Sequence, residues 1–407
     1  MTSLYTTLNL TMSIPVVAAA LLAAWRLRGP ERRDWLIGVG GALAVMLVLT
    51  ALFDNLMISA GLVAYDHDLT SGLRLGVAPV EDFAYAVAAA VFVPSVWSLL
   101  TAGPRDDDED RSPGRPASPG LLTTLFWSSR PVSWINTAAP FALAYFLATG
   151  GFDAVGVIGT VFFLVPYNLA MYGINDVFDY ESDLRNPRKG GVEGSVLDRS
   201  RHRATLVASA VTTVPFLAYL VLVGSWESSL WLAASAFAVI AYSAKGLRFK
   251  EIPFLDSLTS AFHFVSPAIV GWVLAGADLS GGVWACLIAF LLWGAASQAF
   301  GAVQDVRFDR EASLKSVATV LGARAAVWVA LACYAAAVVV LLAAAPWPAS
   351  GAAFAILPYL ATVAAYVRVT DADAERTNEG WRRFLVLNML AGFCVTQLVL
   401  WSVLVWA

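Results

Sequence analysis

Long, uninterrupted apolar runs constrain this chain more than any other feature. We predict twelve spans of about 17–25 residues, the length that a helix needs to cross the hydrocarbon core of a bilayer. Backbone polar groups in lipid must be satisfied within a helix or a closed barrel, and these runs do not alternate apolar with polar residues. We therefore expect an all-α polytopic membrane protein. The predicted spans lie near 4–25, 35–58, 80–101, 133–150, 154–174, 204–223, 228–244, 254–275, 282–303, 322–345, 350–368 and 383–406.

The basic residues predict how the spans are oriented. The chain is 59% hydrophobic and only 14% charged, which excludes an ordinary soluble domain. With the N-terminus outside, all of the 26 Lys and Arg residues except Arg74 fall on the cytoplasmic side. We expect a multi-pass protein of the cell membrane whose N-terminus and C-terminus both lie outside.

An acidic cluster follows the fifth predicted span. Asp176, Asp179 and Asp183 lie there, preceded by Asn175. At about 100° per residue, the three aspartates fall within about 60° of one another on a helix face. Ionisable groups at membrane helices are costly, so this face is a candidate functional site.

A second acidic pair, Asp305 and Asp309, follows the ninth predicted span with a spacing of one helical turn. If the two acidic faces meet, they form a cage of oxygen ligands. Hard oxygen ligands suit Mg²⁺ that holds a diphosphate. In a second interpretation, Arg307 and Arg310 simply pair with these aspartates.

The two motifs together resemble the UbiA superfamily of intramembrane prenyltransferases. N-D-x-x-D-x-x-x-D, which starts at Asn175, is followed about 120 residues later by D-x-x-x-D, and the resemblance covers roughly 125–407. Three flanking segments agree with the family's pattern at the same helix ends: Asp183–Lys189, Tyr242–Pro253 and Lys315–Ser316.

The resemblance implies a set of site residues. Four aspartates would be catalytic: Asp176, Asp179, Asp305 and Asp309. The Mg²⁺ ligands would be Asn175, Asp176, Asp179, Asp183, Asp305 and Asp309. The substrate diphosphate would be bound by Asn175, Arg188, Lys189, Arg248, Lys250 and Lys315.

Residues 103–120 are rich in Pro, Gly and acidic residues and predict a disordered cytoplasmic linker. The linker separates a three-span unit, 1–102, from a nine-span unit, 121–407. We interpret this division as two enzymes joined in one chain.

The three-span unit carries Pro79-Val80-Glu81-Asp82-Phe83 and resembles the lycopene cyclase domain family. The resemblance implies that Glu81 and Asp82 are the catalytic acids. Asp54 is either a structural polar contact or part of the same site. A carboxylic acid in apolar surroundings can stay protonated and then donate a proton to an alkene. Such cyclases usually combine two domains of this kind, so this chain would need a second, separately encoded subunit.

The combination of the two units implies a bifunctional carotenoid enzyme. Dimethylallyl diphosphate and lycopene would be its substrates, Mg²⁺ its cofactor and lipid its surroundings, with no nucleic acid. Two alternatives remain open from the sequence. One is prenylation of an aromatic acceptor such as a quinone, chlorophyll or haem precursor, and the other is an ion-coupled transporter with intramembrane acids.

One histidine, His263, lies inside the eighth predicted span, near the end that begins with Asp256. We expect it to be a packed, hydrogen-bonded side chain.

Overall fold

The structure is a computed structural model. The residues it describes are 4–59, 63–65, 69–101, 120–151, 153–184, 197–312 and 314–406. Nearly all of the predicted linker lies outside these ranges, as do Arg188, Lys189 and the side chain of Asp183. Contacts divide the chain into two compact units, Met1–Pro116 and Ala117–Ala407.

The first unit is built on three apolar helices and a short hairpin. The first two helices both pack against the third. The hairpin is antiparallel, with Arg74 opposite Pro79. Its elements in order are α1 (Leu4–Arg26), α2 (Gly29–Ser59), β1 (Arg74–Leu75), β2 (Ala78–Pro79), a 3-10 turn (Val80–Asp82) and α3 (Phe83–Thr101).

Asn55, near the end of α2, holds the hairpin in place. Its Oδ1 accepts a hydrogen bond from the Val77 amide at 2.7 Å, and its Nδ2 donates to the Leu75 carbonyl at 3.0 Å. The 3-10 turn that follows the hairpin carries Glu81 and Asp82 into the start of α3.

The second unit is a helical bundle. Its helices are α4 (Leu121–Ser128), α5 (Trp134–Thr149), α6 (Ala154–Leu164), α7 (Pro166–Phe178), α8 (Tyr180–Asp183), α9 (Arg199–Val223), α10 (Trp226–Ser243), α11 (Leu255–Leu274), α12 (Gly281–Val303), α13 (Val306–Glu311), α14 (Val317–Leu321), α15 (Ala323–Ala344), α16 (Ala353–Ala364) and α17 (Thr377–Trp406). Among the described residues of this unit, four 3-10 turns accompany them: Pro131–Ser133, Phe249–Glu251, Ala349–Ala352 and Ala374–Arg376.

In the described part of the chain, 8 helical segments are long and apolar enough to cross a membrane. They are Asn9–Arg26, Gly29–Ser59, Val80–Leu99, Ala154–Phe178, Arg199–Val223, Leu255–Leu274, Gly281–Val303 and Ala323–Ala344. The prediction of an all-α polytopic membrane protein is confirmed. The other four predicted spans correspond to α5, α10, α16 and α17, and their crossing of the bilayer stays a prediction.

The fifth predicted span is broken in the middle. Pro166 has no N–H to continue the helical hydrogen bonds, so α6 ends at Leu164 and α7 begins at Pro166. The helix also runs four residues beyond the predicted end at 174. Asn175 and Asp176 therefore lie on the last turn of α7.

Helix α11 lies at the centre of this unit, against α5, α10 and α12. Gly271 allows the close approach to α5, because a Cβ there would lie 2.5 Å from the carbonyl oxygen of Phe141. The N-terminal end of α11 lies next to the loops that carry the candidate site.

Candidate active site at the ends of α7, α10 and α11

Two aspartates of the first acidic motif are buried at the end of α7. Asp176 is only 1% exposed and Asp179, which caps the helix, is 8% exposed. The predicted common face is interrupted after Asp179, where α7 ends and the one-turn helix α8 begins. Buried carboxylates require compensating charges or ligands, because their desolvation is costly.

Arg130 supplies one compensating charge. Its Nη2 lies 2.9 Å from Oδ1 of Asp176, and its guanidinium stacks over the ring of Tyr172 at 4.6 Å from the centroid. The backbone of Arg130 is left-handed, with φ of 51°, at the turn between α4 and α5. Arg130 was not predicted as a site residue, although a basic residue before Pro131 at the start of a span was a usable signal.

Asp179 contacts two of the predicted diphosphate-binding cations. Lys250 forms an ion pair with its Oδ1, and Nη2 of Arg248 lies 3.8 Å from the same oxygen. Arg248 also pairs with Glu251. Burial lowers the pKa of Lys250 to about 8, against the opposing effect of the carboxylates of Glu251 and Asp176.

Asn175 joins α7 to the end of α10. The hydroxyl of Ser243 donates a hydrogen bond to Oδ1 of Asn175 at 2.9 Å. Asn175 and Asp179 of the first motif therefore lie at the same end of the bundle as Arg248 and Lys250 of the loop after α10.

The second acidic motif lies on a separate short helix. Helix α12 ends at Val303, Asp305 caps α13, and the Asp309 amide donates to the Asp305 carbonyl at 2.8 Å. The two aspartates are thus one turn apart, as the spacing predicts. Arg307 lies 3.5 Å from Glu375.

Arg310 forms its ion pair with Asp371, at 2.5 Å, and also donates to the Thr319 carbonyl. Asp371 in turn accepts from the Ala323 amide, which holds the pKa of its carboxyl below its usual range. The two arginines of the motif therefore pair with the loop that precedes α17.

Asp256, which was not predicted as a site residue, links α11 to the segment after the second motif. Its side chain is 2% exposed and its Oδ2 accepts from the Val317 amide at 3.1 Å. This contact fixes the start of α14 beside α11. Lys315, two residues before Val317, is exposed.

Across the described residues, no three His, Cys, Asp or Glu side chains form a group that could hold a metal ion. The predicted six-ligand cage includes Asp183, whose side chain lies outside the described residues, and it stays a prediction. Asn175, Asp176 and Asp179 nonetheless present hard oxygen donors at one helix end, and that donor set fits Mg²⁺.

A cavity of about 480 Å³ lies beside the first motif. It is lined by Val177, Phe178, Tyr180, Glu181, Arg199, His202 and Lys245. The edge of the His202 ring meets the Tyr180 ring, with centroids 5.1 Å apart. The cavity adds two cationic side chains, Arg199 and Lys245, to the surroundings of the acidic motif.

In the first unit, Glu81 is 9% exposed and connects α1 to the hairpin region. Its Oε1 accepts from the Ser71 amide at 2.6 Å and from the Thr6 hydroxyl at 3.2 Å. Its Oε2 is buried and has no hydrogen-bond partner among the residues described. Asp54 lies close enough to Asp82 for the two charges to interact.

The second unit is similar in sequence to proteins of a known family. A profile of the UbiA prenyltransferase family matches residues 137–391. The chain belongs to the UbiA prenyltransferase family. The match begins in α5 and ends in α17, so it contains both acidic motifs and the resemblance drawn from them is confirmed.

Two curated relatives and one solved structure are informative. The chain is 85% identical, over 100% of both sequences, to the C(50) beta-cyclic carotenoids biosynthesis protein LbtBC of Dietzia sp.. It is 55% identical to a lycopene elongase/hydratase of Corynebacterium glutamicum, over 69% of this chain and 97% of that relative. A structure from a study of digeranylgeranylglyceryl phosphate synthase in membranes has a similar fold, with a TM-score of 0.51 at 15% identity over 70% of this chain and 99% of the other.

Proposed function

We propose that the second unit transfers a C5 dimethylallyl group to the ends of lycopene, giving C45 and C50 carotenoids. The observation that carries this proposal is a pair of buried ion pairs at the end of α7. Asp176 pairs with Arg130, and Asp179 pairs with Lys250. The names of the two relatives, a lycopene elongase/hydratase and a C50 carotenoid protein, support lycopene as the acceptor.

The proposed site works by exchanging charge partners. Without substrate, Arg130 and Lys250 neutralise the two carboxylates. Asn175, Asp176 and Asp179 would hold Mg²⁺, which when bound stabilises negative charge on the departing diphosphate. Arg130 and Lys250 would then turn part of their hydrogen-bonding capacity to the diphosphate oxygens. Roles for the remaining predicted residues stay predictions: Asp183, Arg188, Lys189, Arg248, Asp305, Asp309 and Lys315.

The reaction needs a dry, apolar acceptor pocket. The carbon–oxygen bond of the donor breaks, and its electron pair leaves with the diphosphate. The terminal C1=C2 double bond of lycopene supplies the electrons for the new carbon–carbon bond at C2, which leaves a tertiary cation at C1. The helix faces below the acidic motif would keep bulk water from the allylic donor until this bond has formed.

The acceptor class is tested with purified protein in lipid nanodiscs. Dimethylallyl diphosphate and Mg²⁺ are supplied with either lycopene or 4-hydroxybenzoate, and products are identified by mass. We expect C45 and C50 products from lycopene, lost when EDTA is added. A prenylated benzoate without any lycopene product would instead establish the aromatic-acceptor alternative. Mg²⁺-dependent diphosphate binding without either product would support the alternative of an ion-coupled transporter.

We also propose that the first unit is one half of a C50 carotenoid cyclase and acts with a second, separately encoded cyclase subunit. The hydrogen bonding of Glu81 supports this proposal. Its Oε1 accepts two hydrogen bonds, whereas its Oε2 is buried and has no hydrogen-bond partner among the described residues. A protonated Glu81 or Asp82 would deliver a proton to an alkene, and the neighbouring acid would shape its electrostatic surroundings. The name of the Dietzia relative supports β-type rings.

Cyclisation is tested by co-expression with the partner half in a lycopene-producing host. We expect cyclic C50 product from the unchanged pair and acyclic C50 product from Glu81→Gln, because glutamine keeps the shape but cannot deliver a comparable proton. Normal ring formation by both Glu81→Gln and Asp82→Asn would show that the first unit does not supply the proton for cyclisation.

A further inference from the structure

The imidazole of His263 lies in the interior of the bundle with one nitrogen bare. The residue is 3% exposed, and Nε2 has no hydrogen-bond partner among the described residues. The other side of the ring bonds to the backbone carbonyl of Ala238 on α10. A carbonyl can only accept, so the nitrogen that faces it carries the hydrogen. Nε2 is therefore the unprotonated nitrogen, with its lone pair available.

This lone pair lies one layer of side chains beneath the acidic site. The ring of His263 meets the ring of Tyr242 edge-on, with centroids 5.3 Å apart and an interplanar angle of 80°. Tyr242 is followed by Ser243, whose hydroxyl bonds to Asn175. The charges of Asp256 and Arg130 also act on Tyr242. His263 is seven residues along α11 from Asp256, which corresponds to about 10 Å into the bundle.

The other buried polar groups nearby are already paired with one another. The hydroxyl of Ser235 donates to the Tyr167 hydroxyl at 3.1 Å and lies 2.7 Å from the hydroxyl of Ser266. Tyr167 donates to the backbone carbonyl of His263 at 3.4 Å and not to Nε2 of the imidazole. A neutral imidazole nitrogen is thus held in the bundle interior, below the proposed diphosphate-binding end.

We propose that Nε2 of His263 accepts the proton that is lost when prenyl transfer ends, an inference that rests on the proposed elongase function. The tertiary cation at C1 of the acceptor is discharged in one of two ways. Either water bonds to C1 and loses a proton, or a carbon next to C1 loses a proton and a double bond forms. In both cases one proton goes to Nε2 and then to the diphosphate or solvent. Each C5 addition therefore releases one diphosphate and one proton.

Two substitutions distinguish the proposed role of His263 as a base from a role in packing alone. His263→Asn keeps a donor near the Nδ1 position, towards Ala238, and deletes Nε2. His263→Gln places an amide near the Nε2 position but supplies no base. Ser266→Ala, one turn further along α11, removes a buried hydroxyl and controls for general disturbance of the helix.

The measurements are kcat and KM for dimethylallyl diphosphate, the ratio of alcohol to alkene end groups, and Mg²⁺-dependent binding of the unreactive analogue dimethylallyl S-thiolodiphosphate. We expect both His263 variants to bind the analogue within about 3-fold of the unchanged protein, as folded proteins do, while kcat falls about 100-fold or more. The end-group ratio should change in both, and Ser266→Ala should keep the original ratio.

Unchanged kcat and end-group ratio in the two variants would overturn the inference. Loss of analogue binding by both would also overturn it, because His263 would then be needed for the fold. Absence of C45 and C50 products from the unchanged protein would instead refute the elongase function on which the inference rests.

Discussion

At the residue scale, the two buried carboxylates of the first motif take their counter-ions from different loops. Arg130 precedes Asp176 by 46 positions, and Lys250 reaches Asp179 from the loop after α10. Nothing local in the sequence around Asp176 indicates Arg130. The pairing becomes visible only once α7 is packed beside the turn between α4 and α5.

The Arg130–Asp176 pair should stabilise the fold as well as serve the reaction. Arg130→Ala should lower the free energy of unfolding by about 3 kcal/mol, because it removes the cation from a carboxylate that stays buried. Combining it with Asp176→Ala should recover part of that loss without recovering elongation. Denaturation in mixed detergent micelles and pigment analysis measure the two effects.

The control for this pair is Arg376→Ala. Arg376 lies 3.3 Å from Asp373 and its side chain is 78% exposed, so its removal should change stability by no more than about 0.5 kcal/mol. A double variant of Arg130 and Asp176 that is less stable than either single variant would contradict the buried-pair account.

At the element scale, helix positions followed from the sequence, whereas helix ends and loop contacts did not. Continuous apolar runs predicted a helix in all twelve places, because burial and lipid exposure both favour apolar side chains. The break at Pro166 could also have been predicted, because proline has no backbone N–H to continue the helical hydrogen bonds. The hairpin before Glu81 was missed, since it depends on side-chain bonds from Asn55 to a segment about 20 residues away.

Only part of the candidate site could be predicted from the sequence. The acidic residues of both motifs stand out because charges are rare in the spans. The approach of Arg248 and Lys250 to Asp179 followed only from the family resemblance. The contact between Asp256 and the Val317 amide was hidden, because a backbone donor leaves no trace in the sequence.

Close packing of α11 on α5 is expected to be sensitive to a single methyl group. Gly271→Ala should destabilise the protein by about 1–3 kcal/mol, since the new Cβ would lie 2.5 Å from the Phe141 carbonyl oxygen. Gly392→Ala in α17 is the matched control, because no atom lies within 4 Å of a Cβ built there. Equal unfolding midpoints for the two variants in the same detergent titration would contradict the close-approach argument.

At the scale of the whole molecule, the two compact units suggest that elongation and cyclisation are separable. A chain of residues 121–407 should still convert lycopene to acyclic C45 and C50 products, because the acidic motifs and their cations all belong to Ala117–Ala407. Pigment analysis in a lycopene-producing host measures this. A stable but inactive 121–407 chain would show that the first unit is required for elongation.

The distribution of basic residues predicts which loops face the cytoplasm. In a variant whose native cysteines are replaced by serine, Ala372→Cys should resist a membrane-impermeant thiol reagent in intact cells. Asp278→Cys should react, because its loop is predicted to lie outside. The reverse labelling pattern would overturn the orientation and, with it, access to the site from the cytoplasm.

We propose that the end of α7 holds an Mg²⁺-diphosphate site for adding C5 groups to lycopene. The test supplies purified protein with deuterium-labelled dimethylallyl diphosphate, lycopene and Mg²⁺ and identifies the products by mass. We predict one labelled C5 unit in C45 and two in C50, with both products lost in Asp176→Ala and Asp305→Ala and kept in Arg376→Ala. Labelled product formed at a normal rate by Asp176→Ala and Asp305→Ala would contradict the account.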